Sequence, residues 1–288
     1  MRLHLIDGTF ELFRAHYAPR PSHFASDGRD LKATVGVVRS LLALLRDKDE
    51  AVTHLAVAFD NPITSFRNKL FEGYKTDDGI DPILRSQFDE VELAVTAAGI
   101  TVWRMTDFEA DDALATAASK WVNAPDVEQV RILTPDKDLG QVLSGNKVVQ
   151  VDRVRKREIT EATLRTEKNI APESIPDFLA LVGDTADGIP GLAGWGEKSA
   201  SAVLSVYPHL ENIPADVSKW QVKPRGAAKL SEVLELRRHE ARLYRTLATL
   251  RRDAPLQESL DDLRWRGVTK DFAAWCARAG IEVPGMRK

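Results

Sequence analysis

The sequence contains little of what marks several other classes of protein. Only one of its 288 residues is a cysteine, Cys276, so no disulfide can form within the chain and a reducing compartment is expected. The six histidines are scattered without the short spacings of a zinc site. No stretch approaches the roughly 18 uncharged apolar residues of a membrane helix, and the opening MRLHLID does not have the pattern of a signal or transit peptide. We therefore expect a cytoplasmic protein that does not contact membranes.

A strong excess of one charge is also missing. The chain has 40 Lys and Arg against 43 Asp and Glu, and the net charge of -3 argues neither for nor against a polyanionic partner. The acids and the bases occur in separate groups, such as the basic run 155–157. With 43% hydrophobic residues, the chain is long enough for one large or two modest domains with a substantial core.

Short apolar runs that end in an acid alternate with helical patterns in the first part of the chain. LHLID ends at Asp7, HLAVAFD ends at Asp60, and VRILTPDKD runs into Asp136 and Asp138. Helical patterns such as that of residues 33–45 lie between these runs. The alternation predicts an α/β fold, with a parallel sheet and helices on both of its faces.

The composition changes near residue 170. Strand patterns stop there, and prolines and glycines separate short helical segments. A Leu- and Arg-rich helical pattern then runs from residue 227 to residue 250. We predict two domains, an α/β domain at 1–170 and a helical domain at 171–288.

Nine acids belong to segments that such a sheet would gather at one edge. They are Asp7, Asp60, Glu109, Asp111, Asp112, Asp136, Asp138, Asp184 and Asp187. Asp7 or Asp60 alone is better explained as a cap at a strand end, and the acids of EADD alone are explained equally well as first-turn residues of a helix. Together they would repel one another, so a bound cation is expected. Ligands that are all oxygen favour Mg²⁺ or Mn²⁺, and the number of acids indicates two ions, with a third as a further option. Two such ions about 3.5 to 4 Å apart cleave phosphodiesters, which indicates a nuclease.

Two further segments carry candidate contacts to nucleic acid. In GDTADGIPGLAGWGEKSA, a glycine-rich turn opens a helix near Glu197, and its backbone N–H groups and Lys198 could hold a phosphate. Trp195 in this turn is a candidate for stacking, although a purely structural helix hairpin explains the glycines as well. The segment 61–82 has no clear period, and it places basic and aromatic residues directly after an acidic strand end: Arg67, Lys69, Tyr74 and Lys75.

Taken together, these motifs resemble the bacterial and phage 5' nucleases, which include flap endonucleases, 5'-3' exonucleases and the nuclease domain of DNA polymerase I. The resemblance covers roughly residues 3 to 255. The matching motifs, in order, are LIDG, AFD-NP-SFR-GYK, EADD, ILTPDKDL and GDTADGIPG-GWGEKSA. It implies a PIN-like domain, a flexible arch near 61–85, and a helix-three-turn-helix at about 176–206. Because the sequence ends at Lys288, we expect a stand-alone form without a polymerase region.

The resemblance also implies roles for individual residues. One divalent ion would be held by Asp7, Asp60, Glu109 and Asp111 with Asp112 close by, and the second by Asp136, Asp138, Asp184 and Asp187. Lys75 resembles an arch lysine that contacts the scissile phosphate, and Arg67 resembles its basic partner. Ser199 matches the hydroxyl that helps to hold a potassium ion at the helix-three-turn-helix.

The chain departs from the family pattern at two positions. Relatives often carry an arginine where this chain has Asp78, and an aromatic residue where it has Gly140. The first departure puts one phosphate contact in doubt, and the second puts local stacking in doubt.

The function that follows from the resemblance is cleavage of DNA with 5' flaps, nicks or 5' overhangs, including RNA-primed ends, in primer removal and repair. We expect a monomer that acts on nucleoid DNA. Two alternatives stay open, a catalytically inactive protein that binds branched DNA and a PIN-type ribonuclease. The complete set of acids argues against the first, and the hairpin after Gly183 argues against the second.

Overall fold

The structure, a computed structural model, describes residues 1–282. Residues 283–288, the end of the expected helical domain, lie outside the described residues. The chain divides into two compact units, and both are discontinuous in sequence. The first unit contains residues 1–63, 77–134 and the chain from Arg252 onward. The second contains Thr64–Thr76 and Pro135–Arg251.

A parallel sheet of four strands forms the centre of the first unit. The strands are β1 (Arg2–Asp7), β2 (His54–Asp60), β3 (Thr101–Met105) and β4 (Gln129–Leu133), in the spatial order β3-β2-β1-β4. β1 and β2 are buried along almost their whole length, as expected for apolar runs in a parallel sheet. Asp7 is level with Ala58 in the register, so Asp7 and Asp60 end neighbouring strands at the same edge.

Helices connect these strands and cover the sheet. In the first unit they are α1 (Gly8–Tyr17), α2 (Lys32–Arg46), α3 (Pro82–Arg85), α4 (Phe88–Ala97), α5 (Ala110–Trp121) and α11 (Phe272–Ala279). The alanine-rich α5 is buried on most of its surface, because its small side chains let it pack closely against β1, β2 and β3. Within residues 1–282, none of the helices has the length and apolar character to span a membrane.

The second unit is mainly helical. An antiparallel pair, β5 (Val148–Asp152) and β6 (Arg157–Ile159), precedes its helices. These are α6 (Glu161–Lys168), α7 (Ile175–Val182), α8 (Glu197–Leu204), α9 (Ala227–Leu236) and α10 (Arg238–Ala248). Leu181, Ala200, Leu234 and Ala241 are fully buried in its core.

The helical pattern of residues 227–250 is divided between two helices, α9 and α10. The helix breaks at Arg237, whose φ of -117° and ψ of 25° fall outside the helical region. The next residue, Arg238, donates hydrogen bonds to the carbonyl oxygens of Leu210 and Ile213. These tertiary contacts are not visible in the helical periodicity.

The segment expected to form an arch contains local structure. Residues Phe66–Lys69 form a 3-10 helix capped by the side chain of Ser65, and α3 begins after the capping residue Asp81. Residues 64–76 of this segment belong to the second unit. The Asn68 side chain donates to the carbonyl oxygen of Lys75 at 2.9 Å, which fixes the end of this stretch.

Candidate metal centre

Three carboxylates converge in the second unit. Asp138, Asp184 and Asp187 each offer one oxygen, and these oxygens lie within 4.8 Å of one another. Asp138 lies in a 3-10 helix, Lys137–Val142, and the other two lie in the turn that follows α7. This spacing matches a shared cation, because oxygen ligands at 2.0 to 2.6 Å from one Mg²⁺ or Ca²⁺ are that close together.

The turn after α7 is fixed by its backbone and by glycines. Asp184 and Ile189 exchange two backbone hydrogen bonds of 2.8 and 2.7 Å. Gly183 and Gly191 both have positive φ, 89° and 70°. A Cβ at Gly183 would lie 2.8 Å from the carbonyl oxygens of Ile189 and Pro190, which is too close. The glycines therefore permit the tight turn that presents the two acids.

Two lysines balance the charge of these carboxylates. Lys75 Nζ lies 3.0 Å from Asp187 Oδ1, and Lys137 Nζ lies 2.9 Å from Asp184 Oδ2. The backbone supports the first pair, since Lys75 N donates to the carbonyl oxygen of Asp187 at 3.1 Å. Burial alone would lower the pKa of Lys137, but the hydrogen bond to Asp184 and nearby acids raise it above its usual value.

Asp138 is the most unfavourably placed carboxylate of the three. Its Oδ1 is buried and has no hydrogen-bond partner among the described residues. Burial, followed by the charges of Asp136, Asp187 and Asp184, raises the pKa of Asp138 well above its usual range. A buried acceptor without a partner beside two further carboxylates fits a bound divalent cation, which would supply the missing interaction.

The fourth acid expected in this set, Asp136, caps the 3-10 helix that contains Asp138. Asp136 is exposed, and its Oδ1 accepts a hydrogen bond from Asp138 N at 2.8 Å. Its carbonyl oxygen accepts a hydrogen bond from Gln150 Nε2 at 2.5 Å. Asp136 is not one of the three acids whose oxygens converge.

The acids of the first unit are arranged around helix N-termini. Asp7 caps α1 through Phe10 N and also accepts from Thr134 Oγ1, at 2.8 and 2.9 Å. Asp60 Oδ1 accepts from Ala110 N at 2.7 Å, at the start of α5.

Three acids surround that start of α5. Glu109 and Asp112 form a reciprocal capping box, and the half-buried Asp111 lies in the same first turn. The structure thus brings Asp60 to the EADD segment. Among residues 1–282, no second group of three carboxylates shares the 4.8 Å spacing.

The residues expected to contact DNA fall into two groups. Lys198 is exposed in the first turn of α8, and Lys69 is exposed at the end of its 3-10 helix. Ser199 Oγ accepts from Gly196 N at 3.0 Å and donates to its carbonyl oxygen at 2.9 Å, next to Lys198. These three side chains lie at positions that a ligand can reach.

Tyr74, Trp195 and Arg67 belong to the other group, because they are 3%, 5% and 1% exposed. Tyr74 and Trp195 pack in the core of the second unit, and the Trp195 indole donates to the carbonyl oxygen of Leu230. The Arg67 guanidinium donates to the carbonyl oxygens of Leu247 and Thr249 at 2.7 and 3.0 Å. These positions conflict with the expected base stacking and phosphate contact, because the aromatic and cationic groups are enclosed by protein.

Lys137 is the residue of this site that sequence reasoning missed. It lies between Asp136 and Asp138 in the printed sequence. A lysine flanked by two acids of a suspected metal site indicates a countercharge, so the sequence could have predicted that Lys137 balances the charge of a nearby carboxylate.

The chain matches two family models of 5'-3' exonucleases. Residues 2–170 match the family model "5'-3' exonuclease, N-terminal resolvase-like domain", and residues 170–271 match "5'-3' exonuclease, C-terminal SAM fold". The 5'-3' exonuclease of Aquifex aeolicus (strain VF5) is 34% identical over 247 residues, which are 85% of this chain and 82% of that protein. DNA polymerase I of Bacillus caldotenax is 32% identical over 274 residues, 94% of this chain. The chain spans 30% of the length of that polymerase.

Solved structures share the fold at lower identity. The bacteriophage T5 D15 protein co-crystallised with metal ions has a TM-score of 0.66 and 19% identity, over 87% of this chain and 90% of its own. The catalytic core of Rad2 in complex with DNA substrate has a TM-score of 0.58 and 15% identity, over 95% and 85% of the two chains. At these identities the likeness concerns the fold alone.

Proposed function

Because the chain belongs to the 5'-3' exonuclease family, we propose that it is a metal-dependent, structure-specific 5' nuclease. It hydrolyses phosphodiester bonds near the junction between a 5' single strand and duplex DNA. The observation that carries the proposal is the convergence of Asp138, Asp184 and Asp187, with the buried, unpartnered oxygen of Asp138.

Mg²⁺ or Mn²⁺ fits this set of ligands, since carboxylate oxygens are the groups that these ions prefer. When bound, divalent ions would lower the pKa of the attacking water and stabilise the leaving oxygen. Asp138, Asp184 and Asp187 would hold one ion, with Asp136 at the margin. We assign a second ion to the acids of the first unit, Asp7, Asp60, Glu109 and Asp111, with Asp112 as the capping partner of Glu109.

Lys75 has a distinct role in the proposal. Its ammonium group pairs with Asp187 and therefore lies within reach of a phosphate bound at the carboxylates. A cation there stabilises the negative charge that grows on the phosphate oxygens in the transition state. Lys137 has a different role, because its ammonium group balances the charge of Asp184 while no ion is bound.

The hairpin of α7 and α8 supplies contacts to duplex DNA in the proposal. The N-terminus of α8 and the exposed Lys198 would bind backbone phosphates without reading sequence. Ser199 Oγ and the carbonyl oxygen of Gly196 lie close enough to share a potassium ion. We retain the domains 1–170 and 171–288 and the arch at 61–85 as proposals, and we place the action on 5' flaps, nicks and overhangs of cytoplasmic DNA by a monomer.

A cleavage assay with matched substrates tests this function. A labelled 5'-flap duplex, a blunt duplex and single-stranded RNA of the same sequence are incubated with Mn²⁺ or with EDTA. We expect Mn²⁺-dependent cleavage of the flap at its junction, with little cleavage of the RNA. Tight flap binding without cleavage would indicate an inactive binding protein, and preferred cleavage of RNA would indicate a ribonuclease; either result contradicts the proposal.

A further inference from the structure

A cavity of about 160 Å³ lies in the second unit. Its deep part is apolar and is formed by Leu164, Ile170, Ile175, Phe178 and Leu179, all of them buried. An apolar cavity of about 150 Å³ is large enough to bind a benzene ring. The size and lining of this cavity therefore suit one six-membered ring.

Residue 140 lines this cavity and is glycine, so it places no side chain in the space. A Cβ at Gly140 would lie 3.6 Å from Ile175 Cδ1 and 3.9 Å from Leu164 Cδ2, which are ordinary contact distances. Gly140 is not among the glycines with positive φ, so its backbone accepts other residues. A longer side chain at this position would occupy the space that is now empty.

The outer part of the cavity carries more cations than carboxylates. Lys137, Arg157 and Lys168 line it, together with the carboxylate of Glu167. Lys168 Nζ also lies 5.8 Å from the centre of the Phe178 ring, so it spans the apolar and polar parts.

Each of these cations has a carboxylate neighbour. Arg157 pairs with Glu167, Lys168 with Glu197 at 3.2 Å, and Lys137 with Asp184 at 2.9 Å. The pairs of Arg157 and Lys168 are exposed on both sides, and exposed ion pairs contribute little to stability. These two cations can therefore turn to an anionic ligand at small cost.

We propose that this cavity binds a small monocyclic aromatic anion, an aryl phosphate or aryl carboxylate. The ring fills the apolar space beside Gly140, and the anionic group lies among the cations of the rim. The proposal does not depend on the nuclease function, because it rests on the volume, the lining and the charges of this cavity alone.

Binding can be measured by ¹⁹F NMR with 4-fluorophenyl phosphate as the probe and 4-fluorotoluene as its neutral counterpart. EDTA is present throughout, so that the phosphate group of the probe does not bind through a divalent metal ion. We expect saturable binding of the phosphate and weaker binding of the neutral ring. Gly140→Leu should abolish binding of both the aryl phosphate and the neutral ring. Lys168→Ala should weaken binding of the aryl phosphate roughly threefold, as expected for the loss of an exposed charge contact. It should leave the affinity for the neutral ring unchanged.

Three results would overturn the proposal. They are no saturable binding to the wild-type protein, undiminished binding to a folded Gly140→Leu variant, and equal affinity for the charged and neutral rings. If Gly140→Leu does not fold, a crystal soaked with 4-bromophenyl phosphate decides. Anomalous density for bromine between Leu164 and Ile175 would support the site. A crystal in which bromine is bound at full occupancy elsewhere, with none in the cavity, would refute it.

Discussion

The two sets of acids differ in what already balances their charge. In the first unit, Asp7 and Asp60 accept backbone N–H groups at the starts of α1 and α5. In the second, Asp184 and Asp187 are paired with lysines, and an oxygen of Asp138 has no partner among the described residues. Helix N-termini can stabilise carboxylates without any ion. Asp138 therefore depends more on a cation from outside than the capping acids of the first unit do.

The largest effect is expected from Asp184→Asn. The substitution keeps the shape of the side chain but removes its charge, so it should reduce flap cleavage by roughly 10³-fold or more if the ion that activates water is lost. Affinity for flap DNA should change little, since phosphate contacts supply most of it. Asp216→Asn, at an exposed capping residue of the same unit, is the matched control and should cleave normally. Near wild-type activity of Asp184→Asn would remove Asp184 from the metal site.

Lys75→Ala should produce the next largest effect. Loss of a cation that stabilises the transition state should lower the single-turnover rate roughly 10²-fold at saturating enzyme, and lower it more than it weakens binding. Lys69→Ala is the matched control, because Lys69 is an exposed lysine of the same segment. A Lys75→Ala variant that changes only the dissociation constant would make Lys75 a docking residue.

Stability without metal distinguishes the two sets directly. Asp60→Ala leaves Ala110 N without its acceptor at the start of α5, and this should reduce the free energy of unfolding by about 1 to 3 kcal/mol. Asp138→Ala removes a buried carboxylate with an unpartnered oxygen, so in EDTA it should leave stability unchanged or raise it. Urea denaturation of both variants measures the difference. Equal destabilisation by Asp60→Ala and Asp138→Ala would contradict the difference that we infer between the two sets of acids.

Lys137→Met tests the countercharge. In the absence of DNA the ammonium competes with a divalent ion for Asp184, so the variant should bind Mn²⁺ roughly threefold to fivefold more tightly, the equivalent of a partly exposed ion pair. Mn²⁺ titration followed by electron paramagnetic resonance measures the affinity. Lys168→Met, which removes a lysine paired with Glu197 instead, should leave it unchanged. Weaker Mn²⁺ binding by Lys137→Met would show that the lysine supports the site.

Lys198→Ala should have the smallest effect. One lost phosphate contact weakens binding to every duplex sequence by a similar small factor. It also makes the plot of the logarithm of the binding constant against the logarithm of the salt concentration less steep, by about 1. Fluorescence anisotropy at several salt concentrations provides both quantities. An unchanged affinity and slope would assign Lys198 to a surface that DNA does not contact.

The positions that could be predicted from the sequence are those set by local patterns. The runs ending at Asp7 and Asp60 form parallel strands, and α8 begins at Glu197 as the glycine-rich motif indicated. The acids of the TPDKD and GDTAD motifs were identified from their positions at the expected edge of the sheet, and three of them converge.

The positions that could not be predicted depend on tertiary contacts. Arg67, Tyr74 and Trp195 have residue types that suit a DNA surface, yet their burial is decided by partners distant in sequence, such as Leu247 for Arg67 and Leu230 for Trp195. No periodicity in the sequence reports those contacts. The pairing of Lys137 with Asp184 is of the same kind, since its partner lies 47 positions along the chain.

Whether the three converging carboxylates bind a divalent ion can be seen in a crystal of the protein soaked in Mn²⁺ and measured at the manganese absorption edge. We expect an anomalous peak bound by carboxylate oxygens of Asp138, Asp184 and Asp187, with the ammonium groups of Lys75 and Lys137 displaced from Asp187 and Asp184. A crystal that binds Mn²⁺ elsewhere, with these three carboxylates free of metal and both lysine pairs intact, would contradict it.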